Sequence, residues 1–285
     1  LAGHPKSFSS LYVNMVRAGE ASGALESVLQ RLAHFMEKSA RVKARVKAAV
    51  VYPVIVMTVA IAITSGLMIF VVPRFAKIFD EMLPGLQLPP LTRLVIFISG
   101  GLRDHALVVG VSVIVVAVLL RSLRKTRAGA YVFDFVAVRV PPVNQLVLKT
   151  IIARFCRTLG TLMQSGVAVL QGLQIARDTA GNAVAVHAIQ NVHDAVKQGE
   201  SMTRPLQHSV IFPEMAVSMM EVGEETGALP EMLNRVADVY EEEVDQTIDA
   251  LTSLIEPAMI VVLAVIVGTI VIALFLPLIV IIERL

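Results

Sequence analysis

The side chains in this chain that could do chemistry are few and scattered. The histidines are His4, His34, His105, His187, His193 and His208. Two zinc ligands on one helix face need i, i+4 spacing, which even His187 and His193 miss, so no metal site is expected. Cys156 is the lone cysteine, which excludes an intramolecular disulfide, and it falls in a stretch that reads as a buried helix. There is no Gly-x-x-x-x-Gly-Lys-Ser/Thr phosphate loop and no Gly-x-Ser-x-Gly elbow. The chain is therefore expected to be no enzyme and to hold no cofactor. What remains is a carboxylate in a repeated setting: Glu20 in Gly19-Glu20-Ala21-Ser22-Gly23-Ala24-Leu25, and Glu224 in Gly223-Glu224-Glu225-Thr226-Gly227-Ala228-Leu229. Either the glycines build a tight turn and the carboxylate favours a helix N-terminus, worth ~0.3–1 kcal/mol, or the turn meets a neighbouring subunit or machine component.

The two copies stand 204 residues apart, and the same gapless offset maps Phe8 onto Phe212, Leu29 onto Leu233, Arg31 onto Arg235, Glu37 onto Glu241, Pro53 onto Pro257 and Pro73 onto Pro277. A register kept this long points to a duplicated unit of helical bundle plus membrane anchor. Past the motif the copies diverge in charge. Lys38, Arg41 and Arg45 align with Glu242, Asp245 and Asp249. A basic stalk serves orientation and anionic lipid, and an acidic one is a solvated face. The alternative is that the two stalks lie side by side, within a subunit or across a dimer, and pair through Arg41, Arg45, Asp245 and Asp249.

The elements behind these residues read as helices. Residues 8–18 form a short helix expected to break at Gly19, with Ser22 capping a long helix from about Ala24 to Lys47. Leu25, Val28, Leu29, Leu32, Phe35 and Met36 make an apolar stripe that needs a partner. From Lys47 to Arg74 no side chain is charged, and those 26 residues would reach about 39 Å across a hydrocarbon core of roughly 30 Å. Pro53 and Pro73 sit near the ends of that span, where breaking a helix costs least. Residues 74–104 form a loop around Leu83-Pro84-Gly85 and Pro89-Pro90, with an amphipathic helix at Leu91–Leu102 that lies at the interface or packs on the first span. Residues 105–121 make a second, shorter span, with Arg121 able to snorkel at its end. Residues 122–148 read as a linker. Helices at about Thr150–Gln164, Val167–Asp178 and Ala183–Gln198, ended by Gly166 and Gly199, open a bundle over 149–252. Residues 257–282 are the last span. The basic flanks put residues 1–47 and both bundles in the cytoplasm and the short C-terminus outside.

Composition agrees with this division: 55% hydrophobic and 17% charged residues, with a mean hydropathy of +0.72. A net charge of +2 gives no case for nucleic acid. The fold class expected is an all-α membrane protein with duplicated cytoplasmic antiparallel bundles and three transmembrane helices. At offset 204 the counterpart of residues 151–211 would start well before Leu1, so the first bundle is expected to lack its opening helices. A start at Leu rather than Met points to a fragment or processed product. Leu25, Leu29 and Leu32 are then expected to be partly uncovered, and the chain to aggregate or borrow a partner for that face.

Ala153-Arg154-Phe155-Cys156-Arg157-Thr158-Leu159-Gly160-Thr161-Leu162, then Ser165-Gly166-Val167, resembles the opening of a domain of the type II secretion system F family. The Gly-Glu-x-x-Gly-x-Leu stretch, Glu256-Pro257 at the start of the last span and Leu276-Pro277 near its end look like that family too. The resemblance covers nearly the whole chain. It implies an inner-membrane, multi-pass platform of type II secretion or type IV pilus assembly. It further implies two cytoplasmic six-helix bundles, a homo-oligomer, and as partners a cytoplasmic ATPase, pilin or pseudopilin transmembrane helices and other inner-membrane assembly proteins. The runner-up is a small membrane transporter or permease subunit. Against it, no span carries an interior charge and no inverted pair of broken helices is present.

Overall fold

Glycine and proline decide where most of these helices bend or end. The computed structural model describes residues 3–4, 8, 10–22, 25–82, 88–124, 126–141 and 143–282, and among them there is no strand. In chain order the helices are α1 (Ser10–Ser22), α2 (Leu25–Gly66), a π-helical turn (Leu67–Val71), α3 (Val72–Met82), α4 (Pro90–Asp104), α5 (Ala106–Leu123) and α6 (Arg127–Arg139). There follow α7 (Val143–Gln164), α8 (Val169–Thr179), α9 (Ala183–Lys197), α10 (Thr203–Gln207), α11 (Glu214–Thr226) and α12 (Leu229–Ile282). Gly166 and Gly199, each at φ 82°, follow α7 and α9 in the left-handed region that favours glycine. The stretch read as a linker contains α6.

Two units emerge. One joins Leu1–Lys47 with Arg124–Ala250; the other joins Ala48–Leu123 with Leu251–Leu285. The core of the first is built on α7, whose Ile152, Phe155, Cys156 and Leu159 are buried against Leu173, Ile189, Met220 and Leu233. Phe155 meets Phe212 edge-on, with ring centroids 5.3 Å apart. A second cluster covers part of the stripe on α2: Val28 and Leu32 pack with Leu11 and Met15 of α1 and with Leu162, Val167 and Ile175. Leu32 is buried, whereas Leu25 and Leu29 remain 37% and 39% exposed.

In the second unit, α4 solves a problem that two prolines create. A proline has no N–H, so the carbonyl that it would have served is orphaned. Ala273 O lies four residues before Pro277 and accepts instead from Thr92 Oγ1 at 2.6 Å. Met68 O lies five residues before Pro73, the spacing of the π-helical turn that it belongs to, and accepts from Ser99 Oγ. Thr92 and Ser99 are buried and flank buried Val95 on one face of α4, against Met68, Val72, Ile270, Ala273 and Leu274. Leu94 and Phe97, on other faces, are 53% and 80% exposed. Thr92→Val is expected to destabilise the helix association by ~1 kcal/mol, the scale of interhelical hydrogen bonds in membranes. Most of that cost should vanish on a Pro277→Ala background, where residue 277 regains its N–H. A thermal-unfolding double-mutant cycle in detergent measures this, and equal costs on both backgrounds would refute it.

Leu25–Glu81 and Leu229–Ile279 contain stretches long and apolar enough to cross a membrane, and Gly110–Leu123 is a shorter apolar helix. The first two helices continue without a break through Pro53 and Pro257. Pro53, expected near the end of the span where a break costs least, sits inside α2, because apolar surroundings give a freed backbone no other partner and the helix persists. α6 and α7 are apolar enough together, but they meet at a 108° bend, and α7 is the core of the bundle.

Candidate functional site

At the first motif copy, α1 runs on through Gly19 and Glu20 to Ser22, which corrects the expected break at Gly19. Gly19 is a packing residue inside the helix: a Cβ there would meet Leu25 Cα at 3.1 Å and Val28 Cβ at 3.2 Å. Gly223 is likewise inside α11, where a Cβ would meet Leu229 Cα and Met232 Cβ, each at 2.9 Å. Leu229 and Met232 are the offset-204 equivalents of Leu25 and Val28. Both copies therefore use the first glycine in the same way, to let the following long helix cross close to the helix before it. Gly227 ends α11 at φ 75°, a left-handed position where a Cβ costs about 1–2 kcal/mol. Its equivalent Gly23 lies outside the described residues.

The two glutamates differ. Glu224 accepts from Ser201 Oγ at 2.7 Å and from the backbone N–H of Met202 at 3.1 Å, and so fastens the turn ahead of α10 to α11. Glu20 is exposed.

Beyond the motifs, α2 and α12 are bridged by long side chains. Lys38 Nζ lies 2.7 Å from Asp238 Oδ1 and 3.1 Å from Glu241 Oε2. Arg45 Nη1 lies 2.5 Å from Asp245 Oδ2. Asp245 Oδ1 is buried with no hydrogen-bond partner among the described residues, and Arg45 is a cation facing this half-desolvated carboxylate. Lys38–Asp238 and Arg45–Asp245 share one offset, 200 residues, so the two helices run parallel here, one turn away from the repeat's own register of 204. Arg41 instead pairs at 3.8 Å with Glu37 on its own helix, and Asp249 is exposed.

Arg157 of α7 completes the network. Its Nε and Nη2 meet the two oxygens of Glu241 at 2.8 and 2.9 Å, a bidentate fork, and Nη1 meets Asn234 Oδ1 at 3.2 Å. Nη2 also donates to Asp238. Burial works to lower the Arg157 guanidinium, but its bonds to Glu241 and Asp238 outweigh that and hold it above its ordinary value. Burial likewise works against the Asp238 carboxylate, and the Lys38 and Arg157 cations overcome it and hold the group below its usual range. Arg154, the other arginine of this stretch, reaches Ala180 O at 3.4 Å. Cys156 is fully buried, and desolvation pushes its thiol far up, which leaves it protonated and unreactive. Glu256 and Pro257 are exposed on α12.

Residues 1–73 and 155–277 match the family model described as Type II secretion system (T2SS), protein F. The chain belongs to the type II secretion system protein F family. Within that family it is 43% identical over 274 residues to the type IV pilus assembly protein PilC of Thermus thermophilus, covering 96% of this chain and 67% of that protein. It is 37% identical over 274 residues to PilC of Pseudomonas aeruginosa, covering 96% and 73%. The type II secretion system protein F of Xanthomonas campestris pv. campestris is 37% identical over 249 residues, covering 87% and 61%. The chain thus spans about two thirds of the length of such relatives. The F-family match contains both motif copies, all of α2 and α12 as far as Pro277, and leaves out the stretch from Arg74 to Arg154, with nearly all of α3, all of α4 to α6 and the first half of α7. With its long apolar helices, this F-family chain is an inner-membrane protein of the pilus-assembly and secretion class.

Asp238, Asn234 and Lys149 were not singled out from sequence. Lys149 Nζ joins α7 to α12 through Glu243 at 3.1 Å. An acid three or four residues from another on a long polar helix carries no mark of which one faces a neighbouring arginine. An open groove of about 450 Å³ is lined by Tyr131, His187, Glu200, Arg204 and His208, among others. Among the described residues no three His, Cys, Asp or Glu side chains converge as metal ligands.

Proposed function

We propose that this chain is a non-enzymatic platform of type IV pilus assembly, crossing the inner membrane three times with its bundles in the cytoplasm. A cytoplasmic ATPase acts on the bundles, and pilin transmembrane helices meet the spans. The observation that carries this reading is the ion-paired bridge between α2 and α12 on the bundle side of two helices that each continue into apolar stretches. A displacement of the bundle by a motor can pass along such helices as a tilt or rotation, because a helix is stiff over this length. The third span is α5, whose 18 residues reach about 27 Å, close to the hydrocarbon thickness. Its Leu107, Val111, Ile114 and Val118 are exposed, as lipid-facing residues are. The duplicated-bundle reading draws support from the matching glycine contacts at Gly19 and Gly223. The pilus reading is preferred over the secretion one because the pilus relative at 43% identity exceeds the type II protein at 37%.

Deleting the gene for this chain should abolish surface pili while pilin accumulates in the membrane. Pili that persist unchanged would sink the proposal. Within the platform, Arg45→Asp should strongly reduce piliation by leaving Asp245 uncompensated, and adding Asp245→Arg should restore it. An unrescued double variant would remove the stalk pair from the mechanism.

A further inference from the structure

We infer that the outward face of α6 is a docking strip for an anionic lipid surface. The helix is amphipathic in the reverse of the sense expected for a bundle in water. Its half-buried residues are Gly129, Ala130, Asp134, Ala137 and Val138, and its exposed side carries Tyr131, Val132, Phe133, Phe135 and Val136 at 48%, 58%, 39%, 37% and 48% exposure. The one acidic side chain of α6 points toward the bundle, where Asp134 Oδ2 accepts from the backbone N–H of Ala183 at 2.8 Å and holds the start of α9. A solvent-facing helix would place these the other way round.

The exposed face is also organised. Tyr131 stacks on Phe135 with centroids 6.1 Å apart, and the Arg139 guanidinium sits 4.4 Å over the Phe135 ring. Aromatic and aliphatic residues with arginine alongside suit the boundary between headgroups and acyl chains.

Charge and tether choose the occupant. Residues 121–143 hold Arg121, Arg124, Lys125, Arg127 and Arg139 against the single acid Asp134, and that acid is spent on α9. Basic segments beside a span are drawn to anionic lipid. The apolar helix α5 ends at Leu123 and α6 begins at Arg127, a tether of at most about 14 Å. The strip therefore stays within reach of the surface at which α5 ends. The proposal extends beyond the platform reading and needs only that α5 be in the bilayer.

The chain has no tryptophan, so Val132→Trp and, separately, Tyr131→Trp each supply a single reporter. The full chain is placed in nanodiscs of phosphatidylethanolamine and brominated phosphatidylglycerol. Both reporters should emit at blue-shifted wavelengths and lose most of their intensity to the bromines. Val222→Trp, at an exposed position of α11, should remain red-shifted and bright. Arg139→Glu added to Val132→Trp should weaken the quenching, and more so in these anionic nanodiscs than in zwitterionic ones made with brominated phosphatidylcholine. Reporters as red-shifted and bright as the α11 control would overturn the proposal. So would blue-shifted but unquenched emission, which would mean that protein, a second copy or another segment of the chain, covers the strip.

Discussion

An Arg157→Met variant is expected to lose about 2–4 kcal/mol of stability in the unit that joins Leu1–Lys47 with Arg124–Ala250, measured by denaturant unfolding of the whole chain in detergent. Removing one partner of a buried pair costs ~3–5 kcal/mol, because the remaining charge is stranded. The figure sits lower here because Glu241 retains 20% and Asp238 57% of its side-chain exposure, and Lys38 still faces both. Arg157→Lys should recover little, since an ammonium cannot make the two-pronged contact with Glu241. Pairing Arg157→Met with Glu241→Gln should cost less than the sum, as it removes both members of the fork. The pH dependence has a definite sign. Asp238 is held below its ordinary value of 3.8, so its contribution is fully present above that value and is lost as pH falls through the lower folded one. Arg157 is held above its ordinary value, so its contribution persists through neutral and basic conditions. Stability owed to this network should be flat between about pH 5 and 9 and fall only in stronger acid. A loss between pH 7 and 5 would assign the clasp to other groups.

How much of this was readable in the chain depends on how local each cause is. The repeat was readable because it is a pattern of identities, and Gly166 and Gly199 were readable as helix ends because each follows an apolar run. Gly19 was misjudged for a physical reason: a glycine that ends a helix and a glycine that lets another helix approach look the same in sequence. Only the position of α2 over α1 separates them. Opposite charges on the two stalks were visible, but their register was not. The repeat aligns Arg45 with Asp249, while the bridge joins Arg45 to Asp245, because side chains meet according to helix packing rather than ancestry. Thr92 and Ser99 were invisible for a third reason. Pro73 and Pro277 announce an orphaned carbonyl each, yet nothing local names the helix that will supply the hydroxyl. Residues 122–148 read as a linker, and α6 hides among them because its apolar stripe is short and followed by Pro141 and Pro142.

Gly223→Ala should destabilise the same unit by ~1–3 kcal/mol, whereas Gly19→Ala should be close to neutral. In both places alanine gains about 0.5–1 kcal/mol of helix propensity inside α11 or α1. The opposing term differs. At Gly223 the new methyl would sit 2.9 Å from Leu229 Cα and from Met232 Cβ and Cγ. Backbone cannot rotate away, so α12 must shift at its first turn, and overpacking of this kind costs ~1–3 kcal/mol or more. At Gly19 the nearest atoms stand at 3.1 to 3.3 Å, and a few tenths of an ångström of give is enough. The shift at Leu229 has a further consequence, because the same continuous helix, α12, carries Asn234, Asp238 and Glu241 within its next few turns. Moving its start displaces all three partners of Arg157. Gly223→Ala and Arg157→Met should therefore be less than additive when combined, although the glycine never touches the arginine. Unfolding of the two single variants and the double variant tests this. Full additivity would mean that the turn and the ion network are independent, and that α12 absorbs the methyl by bending between Leu229 and Asn234.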